Sequence, residues 1–272
     1  MTNRPSQQDF GATKVPEITL AFWVIKILAT TFGETGGDAV SMSLELGYLL
    51  STAIFAVAFG VFVFAQITAK KFHPYLYWAT IIATTTVGTT FADFLTRSVG
   101  IGYPGGVLVL VSLLALTLFA WKRLFGSVSV DTTMSAKAEM FYWLTIMASQ
   151  TLGTALGDWS ADTAGLGYAG GAFVFSVMLA AVALLYYITN VSRTILFWSA
   201  FILTRPLGAV VGDLLDKPLS KGGLDLSRFT ASFVLIVAIV IGIHFFGRRS
   251  ATQRHGNFLS ETNRQNNEPR TC

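Results

Sequence analysis

The stretch FWVIKILATTFGETGGD, from Phe22 to Asp38, decides the fold because it comes back three times. It returns as YWATIIATTTVGTTFAD from Tyr77 to Asp93, as YWLTIMASQTLGTALGD from Tyr142 to Asp158, and as FWSAFILTRPLGAVVGD from Phe197 to Asp213. Each copy carries an aromatic–Trp pair, nine residues, a glycine (Gly33, Gly88, Gly153, Gly208), four residues and an aspartate. The glycines lie 55, 65 and 55 residues apart, so the chain reads as two halves offset by 120 residues. Self-similarity at a fixed period is the signature of a repeat architecture.

A second landmark follows each motif: Leu46–Gly47–Tyr48, Ile101–Gly102–Tyr103 and Leu166–Gly167–Tyr168. The fourth is divergent, Leu224–Asp225–Leu226, displaced by three extra residues. With the opening Lys14–Val15–Pro16–Glu17–Ile18–Thr19 and the run Thr30–Thr31–Phe32–Gly33–Glu34, these copies resemble a bacterial membrane-anchored family defined by a repeat of unknown function. The resemblance covers about residues 14–247 and implies the topology, but no activity.

Composition agrees with a membrane class. Hydrophobic residues make up 53% of the 272 and charged ones only 12%, against roughly 25% charged in soluble domains. Each repeat holds two apolar stretches near the roughly 20 residues a bilayer crossing needs. The odd-numbered helices are expected at about 18–42, 75–97, 138–161 and 194–216, the even ones at about 48–69, 104–123, 168–189 and 227–247. The expected fold is therefore all-α and integral to the membrane, with eight transmembrane helices from four tandem two-helix repeats. Its segments are an N-terminal piece 1–17, repeats at 18–74, 75–135, 136–192 and 193–247, and a polar tail 248–272 expected to be disordered. Residues Met1–Pro16 lack the pattern of a cleaved signal, so the first span is expected to direct its own insertion. The single cysteine, Cys272, excludes an intrachain disulfide and a cysteine-based metal site.

The net charge of +4 is not a nucleic-acid signal, because most basic residues flank apolar runs. Thirteen, including Arg4, Lys14, Lys70, Lys71, Lys122, Arg123, Lys137, Arg193 and five tail arginines, fall on one side; Arg97, Lys217, Lys221 and Arg228 fall on the other. The positive-inside rule then puts both termini in the cytoplasm and each motif Trp at the cytoplasmic interface. The expected location is a bacterial inner membrane, spanned several times. The even helices are nearly pure hydrocarbon apart from residues such as Gln66 and His244. The polar odd helices should cluster centrally, because a polar group facing lipid is costly.

Residues four apart lie on nearly one face of a helix. At that interval the odd helices give Lys26–Thr30–Glu34–Asp38, Ile81–Thr85–Thr89–Asp93–Arg97, Ile146–Gln150–Thr154–Asp158–Asp162 and Phe201–Arg205–Ala209–Asp213–Lys217. Three stripes are continuous from mid-helix outward, and the fourth is interrupted by Ala209. Beside them run small pairs, Gly33 and Gly37, Gly88 and Ala92, Gly153 and Gly157, Gly208 and Gly212. Such pairs let helices approach closely, and each glycine also marks a candidate hinge.

The candidate ion ligands are Asp38, Asp93, Asp158, Asp213 and Glu34, with Thr30, Thr85, Thr89, Gln150 and Thr154 adding neutral oxygens. Hard oxygens without histidine or cysteine suit Mg²⁺, Mn²⁺ or Ca²⁺, with the four aspartates as the metal set; the same carboxylates suit a proton relay. Lys26 and Arg205 are the candidate charge partners, with Lys26–Glu34 and Arg205–Asp213 as pairings. The expected function is a membrane transporter or exporter of a small ion, a divalent cation foremost, with proton coupling open. The alternative is a non-transporting scaffold or sensor whose charges pair structurally. No resident cofactor is required. The expected partners are the bilayer and the ion, with a homo-oligomer open and no nucleic acid. An enzyme is not expected: the chain lacks a His–Glu-x-x-His motif and a Gly-x-Ser-x-Gly elbow. The glycine-rich runs at Gly102–Gly106 and Gly167–Gly171 lack a P-loop lysine and read as turns into the even helices.

Overall fold

The structure is a computed structural model that describes residues 14–128 and 135–246. The described residues form eight α-helices: α1 Leu20–Asp38, α2 Gly47–Thr68, α3 Pro74–Asp93, α4 Gly102–Phe125, α5 Ala136–Asp158, α6 Gly167–Ile188, α7 Arg193–Asp216 and α8 Arg228–Phe246. Start signals match the sequence: the Thr19 hydroxyl accepts from the Phe22 amide, the Ser135 hydroxyl accepts from Ala138, and Pro74 opens α3. The tail expected to be disordered, most of the N-terminal segment and part of the second-to-third repeat junction lie outside the described residues.

Each landmark glycine has a structural role. Gly47, Gly102 and Gly167 open α2, α4 and α6 with φ of 71°, 68° and 64°. Glycine adopts that left-handed backbone without a Cβ penalty. In the divergent copy Asp225 takes it at φ 56°, a conformation aspartate tolerates better than most residues. The run from Gly102 to Gly106 is already the first turn of α4, so the helix starts two residues before the expected boundary.

The four odd helices close into a ring: α1 packs on α3, α3 on α5, α5 on α7, and α7 back on α1. Every even helix lies on the odd helix of the following repeat, α2 on α3, α4 on α5, α6 on α7 and α8 on α1. The odd helices are therefore central. The even ones turn apolar side chains outward, such as Val57, Val61 and Phe64 of α2. Five helices (α2, α4, α6, α7 and α8) are long and apolar enough to cross a membrane; α1, α3 and α5 are the ones diluted by the polar stripes.

The glycines set the ring's diameter. A Cβ on Gly33 would meet the Thr85 Cβ at 2.4 Å, one on Gly88 the Gln150 Cβ at 3.0 Å, one on Gly153 the Arg205 Cγ at 2.4 Å, and one on Gly208 the Thr30 Oγ1 at 2.3 Å. Each motif glycine thus seats one stripe residue of the next repeat, and the fourth seats that of the first. The second small residues do the same: Gly37 faces Thr89, Gly157 faces Ala209 and Gly212 faces Glu34.

One end of the ring is aromatic. Phe22 contacts Trp78, Tyr77 contacts Trp143, Tyr142 contacts Trp198 and Phe197 contacts Trp23, with centroids 5.4, 5.7, 6.2 and 5.8 Å apart. The Tyr77 and Tyr142 hydroxyls share a hydrogen bond of 2.9 Å. Trp78, Trp143 and Trp198 are buried among rings and pack between helices, where such side chains supply large contact area. Gln66, one of the polar residues on the even helices, donates to the Lys14 carbonyl, while the Lys14 ammonium reaches Glu139 at 2.8 Å.

Candidate functional site

From the aromatic end, the stripe residues stack in four layers. The first holds Lys26, Ile81, Ile146 and Phe201, all buried. The Lys26 ammonium lies 4.2 Å from the Phe201 ring centroid and has no hydrogen-bond partner among the described residues. Cation–π attraction gives it some compensation, but the expected Lys26–Glu34 pair does not form.

The second layer is Thr30, Thr85, Gln150 and Arg205, and the third is Glu34, Thr89, Thr154 and Ala209. Ala209 interrupts the stripe in sequence, yet in space its layer is filled, because Arg205 extends into it from one turn away. Arg205 Nη2 donates to Glu34 Oε2 at 2.9 Å and to the Thr89 and Thr154 hydroxyls, each at 2.5 Å; Nη1 donates to the Thr30 carbonyl at 3.2 Å. One guanidinium on α7 therefore holds α1, α3 and α5 together, with no exposure to solvent. The expected Arg205–Asp213 pair is replaced by Arg205–Glu34, because the third layer brings Glu34 in from the adjacent α1 while Asp213 lies a turn further along the same helix.

The fourth layer is the aspartate ring. Arg97 reaches Asp93 at 3.0 Å and Asp158 at 3.1 Å; Lys217 reaches Asp38 at 2.5 Å and Asp213 at 3.0 Å. Each cation bridges the carboxylates of two neighbouring repeats, and the two are related by the 120-residue offset between the halves. Arg228 adds a contact to Asp216 at 3.0 Å and a longer one to Asp38 at 3.9 Å. Counted at formal charge, these five aspartates face three cations among the described residues, an excess of two negative charges. Asp38 and Asp158 each keep one buried oxygen, Oδ1, without a hydrogen-bond partner among the described residues. Just past the end of α7, burial pushes the Lys217 ammonium down, but Asp213, Asp38 and Asp216 push it up by more, and its pKa ends above the ordinary lysine range.

The backbone changes register at this layer. Immediately after Asp38, Asp93 and Asp158 the helix widens into a π turn, Ala39–Ser43, Phe94–Ser98 and Trp159–Thr163. Such turns are frequent at functional sites. In the fourth repeat α7 continues to Asp216 and the three extra residues form a 3₁₀ turn, Leu219–Lys221. That repeat carries its irregularity at Pro206 instead, next to Arg205. Pro206 removes a backbone donor from the helix interior.

The expected ligands thus separate into groups. Oxygens of Glu34, Asp38 and Asp213 lie within 4.8 Å of one another, all buried. This trio differs from the expected set of four aspartates. Asp93 and Asp158 are joined instead by Arg97 on the far side of the ring, since each cation ties one adjacent pair. Among the neutral oxygens, Thr30 donates to the Thr204 carbonyl and Thr85 to the Ala29 carbonyl, so both serve helix contacts, and Thr89 and Thr154 serve Arg205. The Gln150 amide is buried with neither atom hydrogen-bonded among the described residues. Arg97 and Lys217, the bases that end two of the stripes four residues after a motif aspartate, are the ones that pair with the aspartate ring. Tyr48 and Tyr103, from the second landmark, reach this end as well: Arg97 donates to the Tyr48 hydroxyl at 3.2 Å, and Tyr103 donates to Asp162 at 3.1 Å.

A family model described as Repeat of Unknown Function (DUF347) matches the chain four times, at residues 21–72, 76–125, 141–192 and 196–250. No curated protein and no solved structure matches it.

Proposed function

For a chain that belongs to the DUF347 repeat family, we propose the role of a membrane transporter of a small ion, a divalent cation of the Mn²⁺, Mg²⁺ or Ca²⁺ kind. In this reading all eight helices span a bacterial inner membrane, both termini are cytoplasmic, and the aspartate ring faces outward. The aromatic layer then closes the cytoplasmic end.

The observation that carries the proposal is the charge balance of the ring. Five buried or nearly buried aspartates face Arg97, Lys217 and Arg228, and the two uncompensated negative charges match one divalent cation or two protons. An unpaired buried carboxylate is costly in a low-dielectric setting. The donor set is all hard oxygen, and three carboxylates stand within reach of one ion. Lys217, which lies between Asp38 and Asp213, occupies the place of a cation there. An arriving ion would displace it, so Lys217 and Arg97 act as internal counter-ions.

The test is flux in proteoliposomes loaded with a Mn²⁺-quenched dye. Wild type should show quenching on addition of Mn²⁺, and Asp93→Asn and Asp158→Asn should abolish it at unchanged protein level. Equal flux in wild type and both variants would refute the role of the ring. A second reading, a non-transporting scaffold, is favoured by one observation: Arg205 ties all four repeats through a single guanidinium. It predicts no flux in wild type and loss of folded protein in the variants.

A further inference from the structure

Arg205 has a position that the ring's charge balance does not explain. Its guanidinium sits in the third layer, between the aspartate ring and the layer that holds Lys26, where Ala209 leaves the room. It is fully buried and bonded to three of the four ring helices other than through its own backbone, α1, α3 and α5. Any ion passing along the axis has to pass this layer. Among the described residues its only carboxylate partner is Glu34, at 2.9 Å, and Glu34 is also one of the three acids whose oxygens lie within 4.8 Å of one another. Beside them, Asp38 Oδ1 is buried without a hydrogen-bond partner among the described residues. Glu34 is therefore shared between two cation-binding arrangements, one filled by Arg205 and one, with Asp38 and Asp213, whose two aspartates Lys217 bridges.

Resting on the transport reading above, we infer that Arg205 is a tethered surrogate cation: it plugs the axis and competes with the transported divalent cation for Glu34. An ion bound by Asp38, Asp213 and Glu34 draws the carboxylate away from the guanidinium. Without that carboxylate the neutral acceptors, the Thr89 and Thr154 hydroxyls and the Thr30 carbonyl, no longer hold the guanidinium, and it leaves the third layer and gives up these contacts as well. Pro206, the next residue, lies where α7 lacks a backbone hydrogen bond, so the segment that carries Arg205 is the one on α7 best able to shift. The pair thereby links arrival of the ion to opening of the layer beneath it. It also makes Arg205 specificity-determining: a monovalent ion offers Glu34 half the charge and competes less well with a hydrogen-bonded guanidinium.

The experiment is Mn²⁺ binding to the purified full chain in detergent, followed by electron paramagnetic resonance of free Mn²⁺. Removing the competitor in Arg205→Gln should tighten binding about tenfold, the size expected from releasing one hydrogen bond to a charged group. Thr154→Val, which deletes one acceptor of the guanidinium and keeps the side-chain shape, should tighten it about threefold on the same argument. Glu34→Gln should weaken it about tenfold or more. Thr154→Val keeps the test decisive if Arg205→Gln does not fold. Wild-type binding with unchanged or weaker affinity in Thr154→Val, or in a folded Arg205→Gln, overturns the competition while leaving the transport reading intact. Absence of Mn²⁺ binding in wild type and all variants overturns both.

Discussion

Replacing Gly208 by alanine tests the ring at its closing joint, where α7 meets α1. The added Cβ would stand 2.3 Å from the Thr30 Oγ1, 2.6 Å from its Cβ and 2.8 Å from its backbone carbon, where ordinary contact begins at 3.4 Å. Rotation of the Thr30 side chain relieves only the first of these. The helices must therefore part by half an ångström or more at the backbone, and the contacts on either side of the joint stretch with them. Overpacking of this kind costs roughly 1–3 kcal/mol and occasionally more. Alanine also favours the helix over glycine by about 1 kcal/mol, which offsets part of the cost, so a net loss of about 1–2 kcal/mol is expected, at the upper end because a backbone atom is involved. Gly60 on α2 is the control, because a Cβ there meets nothing within 4 Å; Gly60→Ala should be neutral or stabilise by up to about 1 kcal/mol. Reversible unfolding in mixed micelles, followed by tryptophan fluorescence, measures both. If Gly208→Ala proves as stable as Gly60→Ala, the four helices do not close as described and the layered axis loses its basis.

Further expectations concern the charges. Arg205→Met leaves Glu34 buried without its cation and should destabilise by about 3–5 kcal/mol, whereas Arg205→Met combined with Glu34→Met should recover most of that loss; additive losses in the same micelle unfolding assay would show that the two side chains do not form a pair. Tyr77→Phe leaves the buried Tyr142 hydroxyl without its 2.9 Å partner and should cost about 1–3 kcal/mol, more than the double replacement at both positions, which leaves no orphan. Lys217 is raised above its ordinary range in the folded chain, so its stabilising contribution is fully present below the unfolded lysine value of about 10.4 and is lost only as pH rises through the folded value. The stability difference between wild type and Lys217→Met should accordingly not decline from about pH 6 to 9; a difference that declines across that window in denaturation curves would contradict the Asp38–Lys217–Asp213 bridge.

Much of the architecture was legible in the repeated stretch. The ends of α1 to α8 fall within a few residues of the positions read from hydropathy and the two landmarks, because helix length, capping and the left-handed glycine are local properties. The faces were legible too, since a four-residue interval places Thr85, Thr89 and Asp93 on one side of a helix whatever surrounds it. What the order of residues along the chain could not supply was the neighbour across each gap. Arg205 pairs with Glu34 rather than Asp213 because α7 closes on α1 and because Ala209 leaves space one turn away; neither fact belongs to the Arg205 helix alone. The tryptophans look like interfacial anchors by residue type and become ring contacts only when four copies meet. Arg97 and Lys217 look like loop charges by position and become bridges only when the aspartates of adjacent repeats lie side by side. Side-chain periodicity is set within a helix, while charge pairing depends on distances of about 3–4 Å between helices, and those are decided by packing of the whole ring.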